Sequence, residues 1–212
     1  MSKNSLVTEL KEAYNKSREI FTNARNKNNN LSDINSLNQN QHIAHGLAWY
    51  ATYVESLLQL SKWIEYLETN KRLTDLEEGI AGVGAGEYCL QIMHGIPMSQ
   101  NETIRPDELG IPSEKIEEFK KITKSLIQRS TSFEKNRVMS VLQQSIESGI
   151  QPDDGLDETY QEIKNQFKRF VDDEITPNAH EWHMNDDYIP LEIIKKMSEL
   201  GVFGLTIPEE YG

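Results

Sequence analysis

From His42 to Thr69 the apolar side chains fall on two separate helical stripes. Ile43, Leu47, Tyr50, Val54, Leu57, Leu58 and Ile64 form one, and Trp49, Tyr53, Leu60, Trp63 and Leu67 the other. A helix with a single stripe can lie on the outside of a core, whereas one with two must be packed from two sides. Thr74-Asp-Leu-Glu77 has the Ser/Thr-x-x-Glu form of a capping box, so a second helix opens there. It runs through Tyr88, Leu90, Ile92 and Met93 to His94, where Gly95 stops it. Together the two segments predict a helical hairpin.

The rest of the chain repeats the helical period. Leu6, Leu10, Tyr14, Ile20, Phe21 and Ala24 mark one surface helix between Ser5 and Lys27, with no partner assigned to it. The Asn-rich stretch from Asn26 to Gln41 follows, and its short amide side chains compete with the backbone for hydrogen bonds, which predicts a mobile linker. Pro97, Pro106, Gly110 and Pro112 break any helix between residues 95 and 112, leaving an ordered loop or tail. Ser113 is the expected N-cap of helical patterning that continues through Phe119, Ile122, Leu126 and Ile127 to a piece around Val138, Val141, Leu142 and Ile146, ended by Gly149. Tyr160, Ile163, Phe167, Phe170, Val171 and Ile175 mark an amphipathic helix expected to end before Pro177. A last one, Pro190 to Leu200, turns Ile193, Ile194, Met197 and Leu200 inward and is capped by Gly201. No segment sustains a period of two, and no repeat of 20–50 residues is present, so the fold class is all-α.

Pro152 and Gly155 bracket two acids without apolar periodicity, so residues 150–156 read as an interdomain linker. The expected organisation is an N-terminal helix and Asn-rich linker over 1–41, a helical domain over 42–149, that linker, and a second unit over 157–212. The second unit should be loosely ordered when alone, exposing Phe167, Phe170, Val171, Ile193, Met197 and Leu200. With 34 acidic against 22 basic residues the chain has a formal net charge of −12, which repels nucleic acid and anionic membrane surfaces. A lone cysteine, Cys89, permits no internal disulfide and fits a reducing cytoplasm. No signal-peptide core and no run of roughly 20 apolar residues is present, so neither export by a signal nor a membrane span is expected.

Three constellations invite chemical readings. His42 and His45 share a helix face at a spacing that can ligate zinc, and His180 and His183 repeat it around Glu181 and Trp182, but two ligands do not make a site and packing or capping is favoured. Gly82-Val-Gly84-Ala-Gly86 resembles a phosphate loop only superficially, since it follows an acidic helical turn instead of a strand; small residues there let two helices approach closely. No Gly-x-Ser-x-Gly elbow, Walker loop or Cys-x-x-Cys pair occurs. No catalytic, cofactor-binding or metal-binding residue is therefore assigned.

The segment from Phe167 to Trp182, followed by that from Ile189 to Gly212, resembles the opening of the acyl-CoA dehydrogenase family. The likeness rests on a helix ending at Pro177, Trp182 a few residues on, a helix ending in Leu200-Gly201, and the Pro-Glu-Glu-Tyr-Gly turn of Pro208 to Gly212. His180 and His183 fall in a variable part of that pattern. His42 to Glu55, Gly86-Glu-Tyr88, Gly95 to Gln100 and Arg105-Pro106 resemble the N-terminal extension of the methylsuccinyl-CoA branch of the family.

The resemblance implies an FAD flavoenzyme in which a glutamate removes the α-proton of an acyl-CoA thioester and hydride passes from the β-carbon to flavin N5. Electrons then go to an electron-transferring flavoprotein, and the enzyme is a homo-oligomer. In the methylsuccinyl branch the product is mesaconyl-CoA, within the ethylmalonyl-CoA pathway. Family members continue past the Pro-Glu-Glu-Tyr-Gly turn into the flavin-contacting β-domain and the bundle that carries the base. The expectation is thus a front part of such an enzyme, without flavin or activity of its own; a stand-alone helical interaction module is the alternative.

Overall fold

The computed structural model describes residues 5–211, without the side chain of Glu209. The last glycine of the Pro-Glu-Glu-Tyr-Gly turn lies outside the described residues. The chain forms two compact units, divided between Gly155 and Leu156.

The first unit is built around α3 (Gln41–Thr69), the two-striped helix, with α1 (Leu6–Lys27) and α4 (Asp75–His94) packed on it. Both stripes contribute to the core: Leu47, Tyr50, Val54, Leu57 and Ile64 from one, Tyr53 and Leu67 from the other. The partner of α1, open in the sequence, is α3. Leu6, Leu10, Ala13, Ile20 and Ala24 bury against the core, and Phe21 stacks on Tyr50 with ring centroids 6.1 Å apart. Small residues at 13 and 24 allow the two helix axes a close approach. The capping box forms in full, Thr74 accepting from the Leu76 N–H while the Glu77 carboxylate takes the Thr74 N–H and hydroxyl.

Other parts depart from the sequence reading. The Asn-rich stretch is not structureless: it holds a 3-10 turn, Asn29–Ser32, and a short helix α2 (Ile34–Gln39). Its polar side chains satisfy helix ends. Asp33 accepts from the Ser36 N–H at 2.9 Å, and the Asn28 amide donates to the Ala24 carbonyl at 2.9 Å and the Leu109 carbonyl at 3.3 Å. The Pro-rich loop pairs two short strands, β1 (Ile96–Pro97) and β2 (Thr103–Ile104), antiparallel with Ile96 opposite Ile104, both buried. Ser113 is the first residue of α5 (Ser113–Ile122) and not its cap, a place taken by Pro112. Helices α6 (Lys124–Gln128) and α7 (Ser132–Glu147) then return across α4.

In the second unit Asp157 caps α8 (Glu158–Phe170), accepting from the Tyr160 N–H at 3.0 Å. Pro177 does not end this helix, as the sequence suggested. A single π turn, Val171–Ile175, widens the coil so that Thr176 donates to the Val171 carbonyl five residues back, and α9 (Thr176–Met184) continues with Pro177 in its first turn. The missing proline N–H thus falls at a helix start, where it costs least. Helix α10 (Leu191–Glu199) follows and ends at Gly201, whose φ of +76° is the left-handed conformation expected of that cap.

Candidate functional site

The Gly82-Val-Gly84-Ala-Gly86 run lies within α4, and its glycines are sites of helix packing. A Cβ on Gly86 would stand 2.6 Å from the Leu126 carbonyl oxygen and 2.7 Å from Ser130 Cβ, so α6 and the turn after it pass directly over that backbone. One on Gly82 would meet the Arg129 side chain at 3.0 Å, whereas Gly84 faces open space. Arg129 is itself fixed, donating to Glu9 at 3.1 Å and Glu78 at 3.0 Å. The run therefore joins helices and offers no free ring of N–H groups to a phosphate, because its amides belong to the helix ladder.

His42 and His45, on the first turns of α3, face the loop around β2. His42 lies 3.6 Å from Glu102 and 3.3 Å from Glu108, and His45 lies 3.8 Å from the other Glu102 oxygen while accepting from the Trp49 indole N–H at 2.9 Å. The imidazoles thus tie a helix start to a loop, with two acids that no spacing rule could have supplied. His180 and His183 are exposed on α9. Among the described residues no three His, Cys, Asp or Glu side chains are grouped to hold a metal ion.

Asp153 anchors the segment leading out of the first unit. Arg72 grips its carboxylate through Nε and Nη2, each at 2.6 Å, the Trp63 indole donates to its carbonyl at 2.9 Å, and its N–H donates to Glu77 at 2.9 Å. Burial pushes the Glu77 carboxyl up, but bonds from the Thr74 hydroxyl and the Asp153 N–H outweigh it and hold the group below the usual carboxylate range. These contacts are polar, which is why apolar periodicity says nothing of them.

In the second unit the expected exposed stripe is largely covered. Ile193 is buried, Phe167, Phe170, Met197 and Leu200 are half-buried, and of the six only Val171 is open. Helix α10 folds back so that Lys196 pairs with Glu174 of the π turn at 2.5 Å. Large apolar side chains stand free elsewhere in the unit, namely Tyr188 at 97% exposure, Leu191 at 75%, and Met184, Phe203, Leu205 and Tyr211 beyond half.

Each unit carries a groove. The one between α1 and the Gly110-Ile111-Pro112 turn holds about 390 Å³, and Lys27 closes its rim by donating to the Gly110 carbonyl at 2.5 Å. The strip along α8 is an open face lined by Glu162, Ile163, Lys168, Arg169 and Asp172. Among the described residues no helix is long and apolar enough to cross a membrane.

Pro177 in the first turn of a helix, the half-buried Trp182, the Leu200-Gly201 stop and the closing turn over 209–211 come together in one helical unit. Residues 157–212 match the family described as acyl-CoA dehydrogenase, N-terminal domain, and the chain carries the N-terminal region of an acyl-CoA dehydrogenase. The (2S)-methylsuccinyl-CoA dehydrogenase of Cereibacter sphaeroides is 42% identical over 182 residues, covering 84% of this chain and 32% of that protein. Glutaryl-CoA dehydrogenase of Desulfococcus multivorans is 39% identical over 61 residues, 28% of this chain and 15% of that protein, and a probable acyl-CoA dehydrogenase of Bacillus subtilis is 37% identical over 57 residues, 27% and 15%. The chain spans about a third of the length of the first relative and less of the other two.

Proposed function

We propose that this chain is the N-terminal part of an FAD-dependent acyl-CoA dehydrogenase that desaturates a short branched acyl-CoA, methylsuccinyl-CoA to mesaconyl-CoA. One observation carries the branch. The 182 residues aligned with the methylsuccinyl-CoA enzyme are far more than residues 157–212 hold, so the likeness extends well into the first unit, whereas the other two alignments are hardly longer than the domain match itself. In this reading the first unit, residues up to 155, is an extension that folds by itself, and the second opens the dehydrogenase fold with its apolar face turned to the remainder. In this reading the flavin and the base come from parts of the enzyme other than these residues. FAD, when bound, takes up hydride from the β-carbon and passes electrons to an electron-transferring flavoprotein. What this chain does is bind and orient that machinery, in a cytoplasmic homo-oligomer.

The isolated chain should therefore purify colourless and without dehydrogenase activity. Stoichiometric absorbance near ~450 nm, where oxidised flavins absorb, would overturn the assignment of the cofactor to other parts. A chain that folds, stays monomeric and binds no acyl-CoA dehydrogenase remainder in a pull-down would favour the stand-alone module instead.

A further inference from the structure

The groove between α1 and the Gly110-Ile111-Pro112 turn combines an apolar floor with charge of a single sign. Ile20, Ala24 and Ile111, all buried, form the floor, and the exposed Pro112 ring stands beside them. In a chain of net charge −12, the two ionisable side chains that line this groove are both lysines, Lys27 and Lys115. They differ in what neutralises them. Lys115 donates to Glu19 at 3.2 Å and to Glu118 at 3.3 Å, and Lys16 holds the same two acids at 3.0 Å and 2.6 Å, so that group of two bases and two acids is balanced. Lys27 has no acid partner among the described residues. Its ammonium donates to the Gly110 carbonyl at 2.5 Å, which leaves two of its three N–H groups for a ligand.

We propose that this groove binds an aliphatic monocarboxylate about as long as octanoate, with the head on Lys27 and the chain laid along the floor toward Ile20. The volume, about 390 Å³, falls within the roughly 300–1,000 Å³ of small-molecule sites. From Ile20 to Lys27 the groove follows α1 for roughly 10 Å, the extended length of such a chain. The unbalanced cation selects an anion, and Asn26 at the same end adds an amide donor. A carboxylate suits this end better than a phosphate, because one free ammonium stands there and no arginine fork lines the groove. The floor selects the chain, since methylenes laid on Ile20, Ala24 and Ile111 displace water from apolar surface. The site lies wholly in the first unit and is independent of what the second unit and any remainder catalyse.

Calorimetric titration of the full chain with sodium octanoate tests this, with octanol as the probe that keeps the chain and lacks the charge. Octanoate should saturate one site per chain with a Kd on the order of 0.1–1 mM, the range open to a ligand of this size. Hexanoate should bind about tenfold more weakly, because each buried methylene is worth roughly a factor of three to four. Octanol should also bind about tenfold more weakly, the effect of losing one charge-assisted hydrogen bond. Lys27→Met keeps the stem and removes the charge, so it should bring octanoate down to the level of octanol, and Lys27→Arg should restore it. Asn23→Trp, at an exposed position of α1 that lines the groove, should fill it and abolish binding of both probes while circular dichroism shows unchanged helicity. No saturable octanoate binding by the wild type, equal affinity for octanoate and octanol, or binding that Lys27→Met or Asn23→Trp leaves unchanged would each overturn the proposal.

Discussion

Glycine 84 and glycine 86 sit two residues apart in α4 and should respond oppositely to the same substitution. Gly84 has no atom within 4 Å of where a Cβ would go, so Gly84→Ala changes only the helix propensity, a gain of about 0.8–1 kcal/mol. For a unit of this size that is a rise of roughly 2–4 °C in Tm. Gly86→Ala has the same propensity gain but drives a methyl to 2.6 Å from the Leu126 carbonyl oxygen and 2.7 Å from Ser130 Cβ. The carbonyl belongs to the backbone and can retreat only by shifting α6, an overpacking that costs about 1–3 kcal/mol. The two variants should thus differ by about that amount in urea or thermal unfolding followed by circular dichroism, with Gly84→Ala above the wild type and Gly86→Ala at or below it. Equal stabilities would mean that α4 and α6 do not meet as described. Addition of inorganic phosphate should leave all three midpoints unchanged if the glycines serve packing and not anion binding.

Tyr50 is 1% exposed and its hydroxyl has no hydrogen-bond partner, so Tyr50→Phe should raise stability by about 1 kcal/mol by removing an unsatisfied buried group; a loss of that size in chemical unfolding would show that the hydroxyl is satisfied. Glu77 has a lowered pKa in the fold, so it contributes stability above its unfolded pKa and loses it as pH falls through the folded one. Acid unfolding of Glu77→Gln should therefore fall off less steeply below pH ~4.5 than that of the wild type, and parallel profiles would exclude the carboxylate as the cause. Burial pushes the Cys89 thiol up to about 12, so a disulfide reagent should label the native chain only after denaturant is added; rapid native labelling would place Cys89 at the surface.

Where the sequence was readable, it was readable for local reasons. The two stripes of α3 and the Thr74–Glu77 capping box each declare themselves within a few residues, and the structure realises both. The Gly82–Gly86 run also follows from local context, since no strand precedes it. What was not legible depends on partners distant in the chain or on single turns. Asn28 and Asp33 look like residues that dissolve helices until their acceptors and donors are seen, and the paired strands over Ile96 and Ile104 are too short to show a period of two. Pro177 reads as a helix end because the π turn that accommodates it has no sequence signal of its own. Likewise the His42–Glu102–Glu108 cluster and the Arg72–Asp153 clasp join residues some 60 to 80 positions apart, beyond any spacing rule. The second unit shows the same limit: its stripe was correctly apolar, but only the fold of α10 decides which side chains remain uncovered.

The central claim, that these residues are the front of a methylsuccinyl-CoA-oxidising enzyme, is tested most directly by exchange. The matching N-terminal third of the Cereibacter sphaeroides enzyme is replaced by this chain, and the purified hybrid is assayed for acceptor reduction with methylsuccinyl-CoA and with unbranched acyl-CoA thioesters. A flavin-loaded hybrid that turns over methylsuccinyl-CoA in preference to the unbranched substrates is the expected result. A folded, flavin-loaded hybrid that ignores methylsuccinyl-CoA would contradict it.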